Sequence, residues 1–422
     1  MKCGLHIFAS RYVYSPPAKS KTISGIIDDI HALRFRPEWQ YIISGDHFSM
    51  LYLRSLGIFY YAMIDPTIPS TSEDWHNRQA LYLQTLAYAL SVFKQHPVPT
   101  TTIVPTGRYA ATCINIYHYP ADTVYSILYA LAVLRGDEVP SPAADGITKP
   151  IHTSETQVAA QQLLDKYRGT ITELYRHYRS HVFDEEKGLI RTDVHLSGTK
   201  DITQRTCSFY DNVVFWKTIK LASELGIIPE DKAFLRALKS RILKTFWLPK
   251  EGYFLEDLSE EGRASHYYSS DWLIVLSTKF LSPANPKERG YFARSVTYIQ
   301  KNQIDIPLPL QYQHETRAHR QFFIVRLVAA SYGGDAIWSF WGLEYIKALL
   351  LLYQYTQDKA YLEDADKAIV AFEERMIRDR GFAEVYDKDG RFFETRLYRS
   401  VRQTGWIIGF EQARTLRAAI VA

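Results

Sequence analysis

What most constrains this chain is the recurrence of apolar residues at intervals of three and four, segment after segment, with no strong strand pattern to compete. From Lys359 to Met376, the residues Leu362, Ala365, Ile369, Phe372 and Met376 fall on one face of a helix. The same spacing appears near residues 22–34, 44–63, 77–95, 121–135, 156–181, 209–225, 230–247, 269–281, 287–303, 338–356 and 401–419. Together these read as about twelve helices. Tyr345 to Tyr355 is apolar on nearly all sides, as an enclosed helix must be.

Breakers separate the periodic segments. Pro97 and Pro99 end one helix, and the run from Gly136 to Pro150 reads as a long loop. Residues 182–208 are irregular and polar, and 304–336 hold Pro307, Pro309 and Gly333-Gly334. Long loops in a compact protein are usually functional or disordered. These carry aromatic and charged residues, which favours function. Paired helices with long loops between alternate members predict an all-α (α/α)6 toroid with the loops at a pocket end. Inner helices should be apolar throughout and outer ones amphipathic. No strict short repeat favours a solenoid. The expected division is an N-terminal extension over 1–40, packed on the ring, and a catalytic toroid over 41–422.

Composition narrows the partners. A net charge of +4 without a basic run argues against nucleic acid. Cys3, Cys113 and Cys207 are odd in number and far apart, which points to a reducing compartment rather than a disulfide framework. Arg11 and Pro16-Pro17 interrupt any signal-peptide core, and no stretch of about 18 apolar residues reads as a membrane span. The cytoplasm is the expected location, and oligomeric state is left open. The chain has 30 Tyr, 21 Phe and 8 Trp. Such rings suit the CH faces and hydroxyl edges of sugars, and equally serve as core filler.

Four acidic clusters sit at loop-to-helix junctions. Asp46 follows Ser44-Gly45 and Asp122 follows Tyr119-Pro120-Ala121; either could be a helix N-cap. Asp201 precedes Arg205 by four residues, with Tyr210-Asp211-Asn212 beyond; the plain alternative is a surface Asp–Arg turn. Glu384 lies in Gly381-Phe382-Ala383-Glu384-Val385-Tyr386 before the Asp389-Gly390 turn, so an exposed hairpin competes with a semi-buried carboxylate. Other chemistries are weaker. His314 and His319 in Gln313-His314-Glu315-Thr316-Arg317-Ala318-His319 are five apart, not the four that place two zinc ligands on one helix face. No metal and no cofactor are expected.

In order along the chain, these blocks resemble the glucosidase domain of glycogen-debranching enzymes and, more broadly, the six-hairpin (α/α)6 inverting glycosidases, trehalases and processing α-glucosidases included. The similarity runs in scattered motifs from about residue 40 to 417. It is carried by Gly45-Asp46 to Leu56-Gly57, Ile103-Val104-Pro105 to Asp122-Thr123, Asp201 to Arg205 with Tyr210 to Trp216, Gly333 to Trp338, and Gly381 to Asp387 with Arg402 to Trp406. The resemblance implies an inverting hydrolase of an α-glucosidic bond in an oligosaccharide or disaccharide. Asp201 would be its general acid and Glu384 its general base. Asp46, Asp122, Arg205 and Asp211 would bind substrate, and Tyr119, Tyr332, Trp338 and Trp406 would stack on it or wall it. Three departures leave linkage and substrate length open: Gly45 directly precedes Asp46, Ser339 follows Trp338, and Tyr268-Ser269-Ser270-Asp271-Trp272 stands where the family has another motif. The rivals are a trehalase or other α-glycosidase, a sugar epimerase using a His pair (His314 with His319, or His47 with His118), and an inactive sugar-binding protein.

Overall fold

A computed structural model describes residues 16–46, 48–58, 72–107, 110–115, 119–138, 154–200 and 202–422. Its main helices are α1 (Ile23–Ala32), α2 (Arg54–Ile58), α3 (Ser72–Gln95), α4 (Thr123–Arg135), α5 (Ser154–Val182), α6 (Phe209–Glu224), α7 (Lys232–Phe246), α8 (Pro286–Lys301), α9 (Ser339–Thr356), α10 (Lys359–Asp379) and α11 (Ile407–Val421). They form the all-α (α/α)6 toroid that the periodicity predicts.

The inner ring runs α2, α4, α6, the turns over 270–277, α9 and α11, each packed on the next. Burial tracks this order. Every residue of α4 from Thr123 to Leu134 is buried, as is every residue of α9 from Ser339 to Leu352. Ions enclosed there are paired: Lys347 meets Glu344 and donates to Gln412 of α11 at 2.9 Å, and Lys217 of α6 donates to Glu138. Outer helices bury one stripe only. In α10 the stripe is Ala365, Ala368, Ile369, Phe372 and Met376, close to the face read from the sequence. Helix starts follow local chemistry: Ser208, Asp231 and Asp358 accept from the amides of Asp211, Phe234 and Ala360. Helix α1 packs on α10, and His31 meets Glu411 of α11 at 2.7 Å.

The structure corrects three expectations. Residues 44–63 are not one helix: Leu51–Tyr52 is a strand pairing with Ile103 and Thr102, and only Arg54–Ile58 is helical among the described residues there. Residues 269–281 break into a 3-10 turn at Ser270–Leu273 and a short helix at Ile274–Ser277, because the Ser270 amide and the Asp271 carboxylate are drawn to the Tyr312 carbonyl and to Arg205. The last helix starts at Ile407 rather than 401, because the backbone of Arg402, Gln403 and Gly405 bonds to the first segment instead. The described residues also form six small sheets. Their strands are two to six residues long, too short to write a clear alternation into the sequence. Among the described residues, no helix is long and apolar enough to cross a membrane.

Helices α2 and α4 touch through Gly57. A Cβ there would lie 2.6 Å from the Ser126 Cα, inside van der Waals contact with backbone. Gly57→Ala should therefore cost about 1–3 kcal/mol by overpacking. Urea denaturation checks this; an unchanged midpoint would show that the two inner helices are not so close.

Candidate active site

At the loop end of the ring lies a cavity of about 250 Å3. Ser44, Phe48, Tyr52, Arg54 and Ser55 form one wall; Thr199 and Ile202 form a second; Val325, Val328 and Ala329 form a third. Tyr332, Trp338, Glu384, Tyr398 and Trp406 complete the lining.

Glu384 is placed by its neighbours on both sides. Trp338 pairs with Val385 across a two-residue antiparallel ladder, the Glu384 amide donates to the Val401 carbonyl, and its own carbonyl accepts from Ser339. Its side chain is 8% exposed, so it is a semi-buried carboxylate and not part of an exposed hairpin. The Tyr332 hydroxyl donates to Glu384 Oε2 at 2.8 Å. Burial, then the Glu384 charge, pushes the Tyr332 phenol well up, so it stays a donor. The Trp338 indole donates to the Tyr332 carbonyl at 2.6 Å, and its ring packs edge-on to Tyr332. Trp406 lies 5.8 Å from Trp338 at 30°. The result is one carboxylate among aromatic rings whose orientations are mutually fixed.

Asp122 stands at the N-terminus of α4 without capping it; its side chain turns inward, fully buried. Tyr210 donates to it at 3.0 Å, and Arg54 Nε lies 3.8 Å away. Asp122 thus stands behind Arg54, which itself lines the cavity. Asp46 caps no helix. It accepts from the amides of Arg402 and Gln403, both at 3.3 Å, while the Gly405 amide donates to the Ser44 carbonyl, so this segment closes the ring. Arg205 pairs with Asp271, also deep in the wall. Asp211 is buried beside it; burial, opposed by Arg205, pushes its carboxyl up to about 6. Tyr119 packs on His181 and His177 and is not among the lining residues. Asp201, His47 and His118 lie outside the described residues. Thr199 and Ile202, on either side of Asp201 in sequence, line the cavity.

Beneath the second wall is a cluster that no motif announced. Glu256 is fully buried and accepts from Lys200 at 2.8 Å, Gln313 at 2.9 Å, Arg317 at 3.1 Å and Arg320 at 3.2 Å. Burial alone would raise its carboxyl; Lys200, Arg320 and Arg317 overcome that and hold it at about 2. Lys200 also lies 4.5 Å above the Tyr312 ring. Arg54 and Tyr398 were likewise missed. Arg54 sits two residues before the Leu56-Gly57 pair of the first block, so position in that block was its available signal.

No protein-family model matches the chain, and no curated protein matches it. Solved structures do. A rhamnosidase from Klebsiella oxytoca with rhamnose bound is 16% identical over 94% of this chain, with a TM-score of 0.53; the chain spans 64% of that protein's length. A glycosidase variant in complex with glucose is 11% identical, covering 94% of this chain and 96% of its own, with a TM-score of 0.55. A cellobiose 2-epimerase from Bacillus thermoamylovorans is 12% identical, covering 94% and 99%, with a TM-score of 0.54. At such identities the likeness is one of fold.

The Glu256 cluster makes a pH prediction. A carboxylate held below its ordinary 4.5 stabilises the fold above that value and loses its contribution as pH falls toward about 2. Glu256→Gln, which leaves buried cations unpaired, should cost about 3–5 kcal/mol at pH 7. Urea midpoints at pH 7 and pH 3 test this: the gap between wild type and variant should narrow in acid. A gap that stays constant would refute the assignment.

Proposed function

We propose that this chain is a carbohydrate-active enzyme, an inverting hydrolase of an α-glucosidic bond. Glu384 is its general base and Asp201 its general acid. The observation that carries the reading is Glu384 itself: an almost enclosed carboxylate in an aromatic-lined cavity at the loop end of an (α/α)6 ring, oriented by Tyr332. Trp338 and Trp406, tilted by 30° with centroids 5.8 Å apart, offer ring faces on which the CH side of a pyranose can stack. The similar structures named above include sugar hydrolases with rhamnose and glucose bound.

The chemistry balances with the chain's own groups. Asp201, as the neutral acid, gives its proton to the glycosidic oxygen as the bond to the anomeric carbon breaks. Glu384 takes a proton from water attacking that carbon on the opposite face. Inversion needs room for that water, with carboxyls roughly 6.5–9.5 Å apart. Arg54, backed by Asp122, supplies hydrogen-bond donors at the cavity wall. Arg205 and Asp211 act from behind as positioning residues, and Asp46 as the clasp of the wall that holds Trp406. No cofactor enters these steps. A cavity of about 250 Å3 falls below the roughly 300–1,000 Å3 of sites for drug-sized ligands. It therefore suits one terminal sugar ring, in a debranching-like α-1,6-glucoside or a related small α-glucoside.

Some of the similar structures are epimerases and isomerases. That chemistry would call on a histidine pair. Among the described residues no histidine lines the cavity: His314 is exposed against Tyr298, and His319 meets Glu261. This argues against the His314–His319 pair, while His47 and His118 lie outside the described residues.

The test is glucose release from maltose, isomaltose, panose, trehalose and kojibiose. Glu384→Gln should lower kcat about 100- to 10,000-fold on whichever sugar is cleaved. Tyr332→Phe should lower kcat roughly ten-fold with KM nearly unchanged, because it frees the base rather than the sugar. Full activity in Glu384→Gln would remove the base assignment.

A further inference from the structure

The third wall of the cavity is unusual. Phe323–Val328, with the sequence FIVRLV, forms a short helix with no buried residue. Val325, Val328 and the following Ala329 face the cavity. Phe323, Ile324 and Leu327 face solvent at 57, 49 and 74% exposure. A helix apolar on all sides is normally enclosed; this one lines the cavity with some residues and exposes others, with Arg326 as its one charge.

The segment is held as a wall. The Phe322 amide donates to the Ile202 carbonyl at 2.7 Å, so the helix start is fixed to the second wall. At its other end the Thr395 hydroxyl donates to the Val328 carbonyl at 2.6 Å. Val325 and Val328 thus line the cavity together with Trp338 and Tyr332, while Ile324 and Leu327 of the same helix are exposed apolar side chains. A glycoside whose sugar fills the cavity must pass its leaving group out through the mouth. The exposed Ile324 and Leu327 of the wall helix offer an apolar surface for its carbons.

We propose that Phe323–Val328 is the subsite for the leaving group, and that it favours an apolar one: an alkyl or aryl alcohol joined to the sugar is taken in preference to a further sugar. The inference rests on the glycosidase reading above and narrows its substrate class. A second sugar would present hydroxyls to Phe323, Ile324 and Leu327, whose side chains carry no hydrogen-bonding group. A protein partner seated on Ile324 and Leu327 would cover the mouth through which substrate enters.

The probes are the sulfur-linked methyl and n-octyl α-D-glucosides, which resist hydrolysis, each kept below micellar concentration. Binding to the full chain is read by tryptophan fluorescence. Three or more buried methylenes predict that the octyl compound binds at least ~10-fold tighter than the methyl one. Leu327→Ser and Ile324→Ser, exposed positions where a polar residue leaves the core untouched, should bring the ratio toward one. An octyl compound that binds no better than the methyl one, including no binding by either, overturns the subsite. So does a sedimentation shift from dimer to monomer in these variants with the ratio kept, which would assign the helix to contact between copies. Tight octyl binding by a chain that cleaves no α-glucoside would keep the subsite and fail the hydrolase reading, so the two failures are separable.

Discussion

The pocket end of this molecule depends on one buried carboxylate. Glu256 draws Lys200 from one long loop and Gln313, Arg317 and Arg320 from another to a single point. Its own carbonyl accepts the first amide of α6. A charge of this kind, taken out of water, is tolerable only with its partners in place. The loops are thus compelled to meet there, and two cavity walls, Thr199 with Ile202 and Val325 with Val328 and Ala329, are set by that meeting. Arg320 tightens the join by pairing with Asp257 and, through its carbonyl, by accepting from the Gln204 amide.

The proposed function draws on this rigidity. A base within an apolar cavity acts well when its orientation is fixed before substrate arrives. Glu384 has its backbone bonded to Ser339 and Val401 and its side chain to Tyr332. Tyr332 is in turn held by the Trp338 indole. The wall carrying Trp406 is closed onto the first segment through Asp46 and Ser44. The ring is therefore complete at the point where the aromatic platform stands.

Much of the fold was legible in the sequence because the inner and outer helices face different environments. The Ala365-Ile369-Phe372-Met376 stripe of α10 and the uninterrupted apolar run of α9 are direct consequences of one-sided and all-round burial. The helix near residues 44–63 was misread because apolar spacing does not separate a strand of two residues and a short helix from one long helix. Glu384, Tyr332, Trp338 and Trp406 were legible as residues of one cavity because a run of motifs, kept in order, carried them; their chemical roles belong to the proposal. Glu256 was not: its partners lie 56 to 64 residues away, in loops without periodicity. Asp46 was legible as a special residue but not as a clasp, since the amides it binds are 356 and 357 residues distant. Arg205 and Asp211 drew notice through their block, yet the sequence gives no way to tell a residue touching sugar from one standing behind it.

The central claim is that Glu384 activates water against an anomeric carbon. Proton NMR of the first-formed product, recorded in D2O, tests it most directly. The account predicts that the released sugar appears first as the β-anomer, with no deuterium at C2, and relaxes to the equilibrium mixture afterwards. An α-anomeric first product would contradict the inverting mechanism. Deuterium at C2 would mean that a carbon acid, not a glycosidic bond, is the group on which this pocket acts.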